Sequence, residues 1–539
     1  MPGDVADLVF TGGVVHTVDA KNAIAQALAV SDGRVLALGS DSDVLLTAGP
    51  STERVELGGR ALLPGMIEGH GHFSGLGATQ RQIDCKAPGM GSIAALVEAV
   101  RERAESQPPG TWIYGRGYDQ SRLVEKRHPS RADFDTVAPN NPVLFTRTCG
   151  HIVAFNSRAM SEVGITDNVS DPEGGKYDRD ASGNLTGVAY ERANIPFRTI
   201  ATPPAEDLRE HLREANRLYL SAGCTSVQDA GGLFGAYMEQ AQEMVTSGEL
   251  NVRLYAFVTV NALDHPHVQI LDSGLHTGFG DERLRIGAFK IMTDGSSSGP
   301  SSYTREPYTS DPSSHGIAYW EQEDLDNLLG RAHSAGWQCT VHAVGDGAIE
   351  QTLDAMKRAQ SQFPRKGLRH RIEHCGILPP DLQERVVEQG IVPSMQPAFL
   401  WEFGDGYIAN YGRHRANFMF PAGTLINRGV IVAGGSDAPV TDHRPLLGIS
   451  QAMTRTTQDG DVCGADHAVS LDTAIRMHSI NGAYASFEDY IKGSLEIGKL
   501  ADMALLDQDL RDVKPHEVRN VVVDRTYVNG ELVYNGKKP

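Results

Sequence analysis

Leu62-Leu63-Pro64-Gly65-Met66-Ile67-Glu68-Gly69-His70-Gly71-His72 is the stretch on which the fold turns. An apolar run ends in two histidines at i and i+2. On an extended strand both side chains lie on one face. Neutral imidazoles placed together at the end of a buried strand form a ready pair of ligands for a divalent transition metal. A loop with two polar residues would read the same way, so the pair acquires meaning only from the rest of the chain.

Downstream, helical spacing, a glycine stop and a short apolar strand recur. Leu208, Leu212, Ala215 and Tyr219 stop at Gly223 and lead into Thr225-Ser226-Val227. Leu325, Leu328, Leu329 and Ala332 stop near Gly336 and lead into Cys339-Thr340-Val341. Leu382 and Val386 stop at Gly390, before Ile391-Val392. This is the pattern of parallel βα units. About eight strands are expected, ending near His72, Asp229, Val260, Lys290, His342, His374, Met395 and Asp437. Eight such units imply an α/β fold of the (β/α)8 TIM-like barrel type, with function at the C-terminal strand ends.

Residues 1–60 and the last 40 read as short strands instead. Asp32-Gly33 and Asn529-Gly530 suit tight hairpin turns. The expectation is a composite β-sandwich, with 1–60 as its N-terminal part and 486–539 as its C-terminal part, around a 61–485 barrel. The segment from about 80 to 200 breaks the alternation. It offers one helix (Ile93, Leu96, Val97, Val100), one strand (Val143 to Thr146) and many loops, and reads as an insertion after strand 1 that covers the barrel mouth.

At 539 residues with 40% apolar residues the chain can bury a large core, and 22% charged residues fit a globular protein. A net charge of −19 argues against a nucleic-acid partner, which selects for clustered Lys and Arg. The longest apolar runs fall short of a membrane span. The start, Met1 to Asp7, lacks the basic and apolar regions of a secretory leader. Six scattered cysteines give no disulfide framework, so a reducing, cytoplasmic setting is expected.

Five strand ends carry groups able to bind metal or serve it: His70 and His72, Lys290, His342, His374, and Asp437 in Gly435-Ser436-Asp437-Ala438-Pro439. Lys290 stands out, because an ammonium cannot bind a metal and is costly to bury unpaired. A neutral lysine can react with carbon dioxide to give a carbamate, a carboxylate on a long arm able to bridge two metals. Its bland alternative is an ion pair with Asp294 or Glu373. In the insertion, Trp112, Tyr118, Asp119 and His151 are candidate substrate contacts or ordinary packing. Ser296, in a polar loop beyond Lys290, either shapes the pocket or is flexible.

The chain resembles the amidohydrolase superfamily of metal-dependent hydrolases, and within it the amidohydrolase-3 (YtcJ-like) group that includes N-substituted formamide deformylases. The marks are Pro64-Gly65 through His72, Gly115-Arg116-Gly117-Tyr118-Asp119, Asn156-Ser157, Lys290 with Asp294-Gly295-Ser296, Val341 through Asp346, Arg371 through His374, Gly435 through Pro439, and Gly493 through Asp502. The resemblance implies His70 and His72 on the more buried metal, His342 and His374 on the second, and Lys290 as a carbamate bridge. Asp437 would contact the bridging hydroxide and shuttle its proton. One departure is visible: Glu68 stands where the family usually has Asp. The implied function is hydrolysis of an amide-type C–N bond, as in an N-formyl or N-acyl amine, at one or two divalent ions, zinc first among them. A mononuclear deaminase of a ring amidine and a non-catalytic scaffold are the alternatives. A small-molecule substrate is expected, and homo-oligomerisation is left open.

Overall fold

A computed structural model of the chain describes residues 5–200 and 205–536. The opening residues 1–4, part of the start that was read for a leader, lie outside them. Eight parallel strands follow one another around a nearly closed barrel. They are strand 1, Met66–Gly71; strand 2, Cys224–Asp229; strand 3, Arg253–Val260; and strand 4, Leu284–Met292. Then come strand 5, Cys339–Ala343; strand 6, Arg371–His374; strand 7, Val392–Met395; and strand 8, Ala433–Gly434. Each pairs in parallel with the next. Strands 1 and 8 are joined just past their ends, where Asp437 N–H donates to His70 O and His72 N–H to Ala438 O, both at 2.7 Å.

Every residue of strands 1, 2, 5, 6 and 7 is buried. That is why they read as near-continuous apolar runs rather than alternating ones. The helix Ala205–Ser221 buries Leu208, Leu212, Ala215 and Tyr219, and Gln322–Ser334 buries Leu325, Leu328, Leu329 and Ala332. The helix Pro380–Gln389 stops where Gly390 takes φ +63° and its N–H caps the last turn, a conformation that favours glycine.

The flanking residues form two sheets. One holds Ala6–Thr11, Ala27–Ser31, Arg34–Gly39 and Ala48–Glu56. The other mixes both ends of the chain: Val14–His16, Ile24–Ala25 and Ala61–Pro64 with Met503–Leu506, Val523–Val528 and Glu531–Asn535. Both expected hairpins are present. Ser31 pairs with Arg34 and Val528 with Glu531, and Asp32, Gly33, Asn529 and Gly530 all have the positive φ that a two-residue turn requires.

The segment after strand 1 is more regular than its sequence suggested. It holds a six-stranded sheet built from Ile83–Asp84, Ile113–Tyr118, Val143–Arg147, Ile152–Phe155, Gly175–Arg179 and Leu185–Glu191. One face packs Ile113, Val143, Phe145 and Ala154 against the helix Ile93–Ser106. The other packs Leu144, Val153 and Phe155 against Phe197 of the helix Ile195–Ile200. With both faces covered and strands this short, the apolar alternation that signals a strand disappears. Several hydrogen bonds tie the insertion to barrel loops, three of them close to the strand ends. Lys86 Nζ donates to Val440 O at 3.1 Å, Arg147 Nη1 to Ser298 Oγ at 3.3 Å, and Ser301 Oγ to Glu191 Oε1 at 2.5 Å.

Candidate metal centre

Strand ends 1, 4, 5, 6 and 8 bring the chemistry-bearing residues together. His70, His374 and Asp437 each offer a ligand atom, and these atoms lie within 4.8 Å of one another. The His374 ring centroid is 4.7 Å from that of His70 and 4.6 Å from that of His342. His72 Nε2 lies 3.1 Å from Asp437 Oδ1, and Lys290 Nζ lies 3.5 Å from His70 Nε2.

Each imidazole is held by one nitrogen. His70 Nδ1 donates to the Glu373 carboxylate, His72 Nδ1 to Gly231 O at 2.8 Å, and His374 Nδ1 to Gln396 Oε1 at 2.8 Å. His342 is held the other way round, its Nε2 donating to Gly295 O at 3.2 Å. These partners fix the tautomers and leave one lone pair on each ring, as the outer partners of metal-bound histidines do. Burial is the main reason the His70, His374 and His342 rings stay neutral. It lowers the pKa of His70 to about 4 and of His374 to about 3, and that of His342 falls well below its ordinary value.

Glu373 is the residue sequence reasoning undervalued, having entered only as an alternative partner for Lys290. Its carboxylate accepts from Arg371 Nε at 2.7 Å and Nη2 at 3.0 Å, from Thr340 Oγ1, and from His70. Burial alone would raise its pKa, but the Arg371 charge and the His70 hydrogen bond outweigh this and hold it well below the carboxylate range. Consecutive residues of a strand point to opposite faces, yet Glu373 and His374 both reach His70. The backbone explains it: His374 and Cys375 have φ of +68° and +49°, so the alternation breaks at the strand's last residue. Asp437 has φ +57° as well. Such strained non-glycine positions persist only where the surroundings hold them.

The Glu68 departure has a clear structural outcome. Its buried carboxylate accepts from His70 N–H at 3.0 Å, Ser436 N–H at 2.8 Å and Ser436 Oγ at 2.5 Å. It thereby staples strand 1 to the loop carrying Asp437, with burial pushing its pKa up to about 7. Lys290 is 1% exposed, and among the described residues it has no carboxylate at ion-pair distance. The expected alternatives are engaged elsewhere. Asp294 accepts from Gly345 N–H at 2.8 Å and Tyr303 N–H at 3.0 Å, and Glu373 from the groups named above.

The insertion residues divide. His151 stands near the cluster, its ring centroid 5.7 Å from that of His342. Its Nδ1 donates to Glu191 Oε2 at 2.7 Å, and Tyr319 OH donates to the same carboxylate. Burial would lower the His151 pKa, but Glu191 outweighs it and raises the value to about 9. Tyr118 is buried in the insertion's own core with its OH on His128 Nδ1 at 3.0 Å. Asp119 pairs with Arg147 at 3.2 Å, and Trp112 stacks on Tyr114. Ser296 binds within its own loop, its N–H donating to Ser301 Oγ at 3.0 Å.

The donor set fits a divalent transition metal. Burial keeps His70, His342 and His374 neutral with one lone pair each, and His72 offers Nε2 beside Asp437. The Asp437 carboxyl is held well below its ordinary pKa, the neighbouring His72 and His70 outweighing burial. Asp437 Oδ1 is buried and accepts no well-aligned hydrogen bond, although His72 Nε2 is near. An oxygen so placed is costly unless a cation or donor completes it.

Residues 53–534 match the model of the Amidohydrolase family. The chain is 29% identical to the putative amidohydrolase YtcJ of Bacillus subtilis (strain 168), covering 98% of this chain and 99% of that protein. It is 30% identical to the N-substituted formamide deformylase of Arthrobacter pascens, covering 98% of each. An uncharacterized metal-dependent hydrolase from Pyrococcus horikoshii OT3 superposes with a TM-score of 0.76 at 25% identity, over 94% of this chain and 99% of its own. These relationships imply a divalent metal cofactor. With a barrel whose strand ends gather four histidines, a lysine and an aspartate, the chain belongs to the amidohydrolase family and is a hydrolase of carbon–nitrogen bonds.

Proposed function

We propose that the protein hydrolyses an amide-type bond of a small molecule, an N-formyl or N-acyl amine, at a binuclear centre. The observation that carries this reading is the matched set of four imidazoles, each pinned by one nitrogen and offering the other. His70 and His72 would hold one ion, His342 and His374 the second, and Lys290 as a carbamate would join them. To form it, the neutral amine attacks carbon dioxide, the N–C bond forms and one proton leaves. An amine that is buried, lowered in pKa by that burial and without an ion-pair partner suits this step. It also favours two ions over the single ion of a deaminase. Zinc is the first choice for nitrogen and oxygen ligands of this kind.

A bound divalent ion supplies water of lowered pKa and a Lewis acid for the carbonyl oxygen. The chain's own residues do the rest. Asp437, ionised and orphaned at Oδ1, takes the proton of the attacking water and returns it to the leaving nitrogen. Glu373 keeps His70 in the tautomer that presents Nε2. His342, held by Gly295 O, presents Nδ1. Of the insertion, His151 is the substrate contact this reading favours; Trp112, Tyr118 and Asp119, with Ser296 of the loop after strand 4, shape its frame.

The same reading divides the chain into a composite β-sandwich from 1–60 and 486–539 and a 61–485 barrel with its insertion at about 80–200. Support comes from the sheet shared by both ends and a core uniting Leu8, Leu62, Leu495, Met503 and Tyr527. Six buried, unbonded cysteines support a reducing, cytoplasmic setting. Among the described residues no helix is long and apolar enough to cross a membrane.

The test is metal removal and return. Chelation is expected to abolish hydrolysis of N-formyl and N-acyl amines, and zinc to restore it at about two ions per chain. Full activity in verified metal-free protein overturns the reading. Release of ammonia from ring amidines with one ion per chain would instead establish the deaminase.

A further inference from the structure

On the insertion, Arg116 and Arg198 have no hydrogen-bond or ion-pair partner for their guanidinium groups among the described residues, although Asp84 stands across the strand from Arg116. Arg116 lies on the strand Ile113–Tyr118, two residues beyond Tyr114 and so on the same face. That face packs Tyr114, Leu144, Val153 and Phe155 against Phe197, whose ring stacks on Phe155 at 4.1 Å. Arg198 is the next residue on the helix Ile195–Ile200. Both guanidinium groups therefore belong to one side of the insertion sheet.

The ends of these strands meet the metal centre. A side chain at Gly117, adjacent to Arg116, would run into Lys86, and Lys86 Nζ donates to Val440 O, three residues beyond Asp437. Glu191, at the end of the strand Leu185–Glu191, anchors His151 beside His342 and takes Ser301 Oγ from the loop after strand 4. The charges sense one another accordingly. Burial lowers the Arg116 pKa to about 9, Asp437 opposes this and Arg198 adds to it. Arg198, exposed to solvent, is also lowered by the protein around it, and Tyr319 and Glu191 oppose that.

Among the described residues neither guanidinium makes a hydrogen bond or ion pair; the other arginines of the insertion sheet, Arg147 and Arg179, are both bonded. His151 has its countercharge in Glu191. Two cations whose donors have no partner among the described residues, with Asp84 and Asp437 acting on one and Glu191 on the other only at a distance, thus stand together beside the site on a chain of net charge −19. A guanidinium offers a planar fork of donors suited to a carboxylate.

We propose that Arg116 and Arg198 form a subsite for a carboxylate on the substrate, so that the amide hydrolysed carries an acidic group remote from its scissile bond. The proposal rests on the metal centre being the place of reaction. It assigns the insertion a role in selecting substrates by charge.

Two measurements on the full-length, zinc-loaded protein test it. The first compares kcat/KM for N-formyl amino acids of graded chain length, N-formylglycine to N-formyl-6-aminohexanoate, with their neutral methylamides. The best carboxylate is expected to exceed its methylamide by about 10- to 100-fold, the worth of a charge-assisted contact of this kind, chiefly through KM. In Arg116→Gln and Arg198→Gln that ratio is expected to fall at least fivefold, and Arg116→Lys to keep part of it. A parent ratio at or below one, or ratios unchanged in both variants, overturns the subsite. The second measures succinate binding by calorimetry at equal metal content, with succinamide as control. Affinity for succinate weakened at least fivefold in the Gln variants supports the subsite, and equal affinity in parent and variants overturns it. Hydrolysis of neither formamide series defeats the formamide reading alone, because the binding measurement still decides the subsite.

Discussion

Replacing Lys290 should separate stability from metal binding. In metal-free protein its amine is 1% exposed with no ion-pair partner among the described residues, and burial lowers its pKa from an ordinary 10.5, only partly offset by Glu373, Asp437 and Asp229. The unfolded chain then holds this proton more readily than the folded one. Stability must rise with pH between the lowered folded value and 10.5, and below that window the buried ammonium is a net cost. Lys290→Met keeps the length and apolar stem while deleting the charge. At pH 7 the metal-free variant is expected to be more stable than the metal-free parent by about 1–4 kcal/mol, as when buried charge yields to apolar volume. It should bind little metal and be nearly inactive. Urea unfolding of chelator-treated proteins at pH 7 and 9.5, beside metal analysis, reads both effects. The stability advantage of the variant over the parent should shrink from pH 7 to pH 9.5, a difference from which groups common to both, His151 among them, cancel. A Met variant less stable than the parent at pH 7, or one with the parent's pH dependence, refutes the reasoning. Lys290→Ala adds the chemical half: with Cγ to Nζ gone, acetate or propionate has room to act as the missing carboxylate and restore part of the activity. Lys290→Arg keeps a fixed cation in that space and should not respond.

Three further outcomes are expected of the site. Asp437→Asn should cost about 10²–10⁴ in turnover with metal retained, the usual worth of a positioned proton carrier; a near-parental rate under steady-state assay would move that role elsewhere. Glu373→Gln leaves Arg371 buried with its countercharge gone, so unfolding should become easier by about 3–5 kcal/mol, and denaturant titration showing less than about 1 kcal/mol would contradict the network. Because the folded His151 pKa is raised to about 9, its pairing with Glu191 contributes fully below the ordinary 6.5 and is lost as pH rises through 9. Thermal melts of Glu191→Gln should therefore lose the parent's decline between those values, and unchanged pH dependence would show that Glu191 does not hold the proton.

Barrel and candidate ligands are legible in the sequence because the strand ends that carry them announce themselves. An apolar run that stops at His, Lys or Asp needs no tertiary knowledge, and His70, Lys290, His342, His374 and Asp437 all stand out in this way. Their surroundings do not. Glu373 sits beside a histidine and reads as its solvated neighbour; only the left-handed backbone at His374 turns both side chains towards His70. The insertion sheet is hidden because its central strands are covered on both faces and Ile113–Tyr118 is interrupted by Gly115 and Gly117. Arg116 is visible only as part of a motif, since a missing partner is a property of space and not of spacing.

The sheet that unites the two ends of the chain bears on how the protein is made. The strand Ala61–Pro64 runs directly into strand 1 and His70, yet its antiparallel neighbour is Met503–Leu506. On the ribosome, Pro64 emerges long before Met503, and at ~5–20 residues per second the wait is on the order of 20–90 s. Until then one edge of this strand is unpaired, and an exposed apolar edge invites the wrong partner. The nascent chain therefore has a built-in interval of vulnerability at the root of its own active site. Slow translation of the middle of the gene would lengthen that interval, and a chaperone that shields Leu62 and Leu63 would be the helper it most needs.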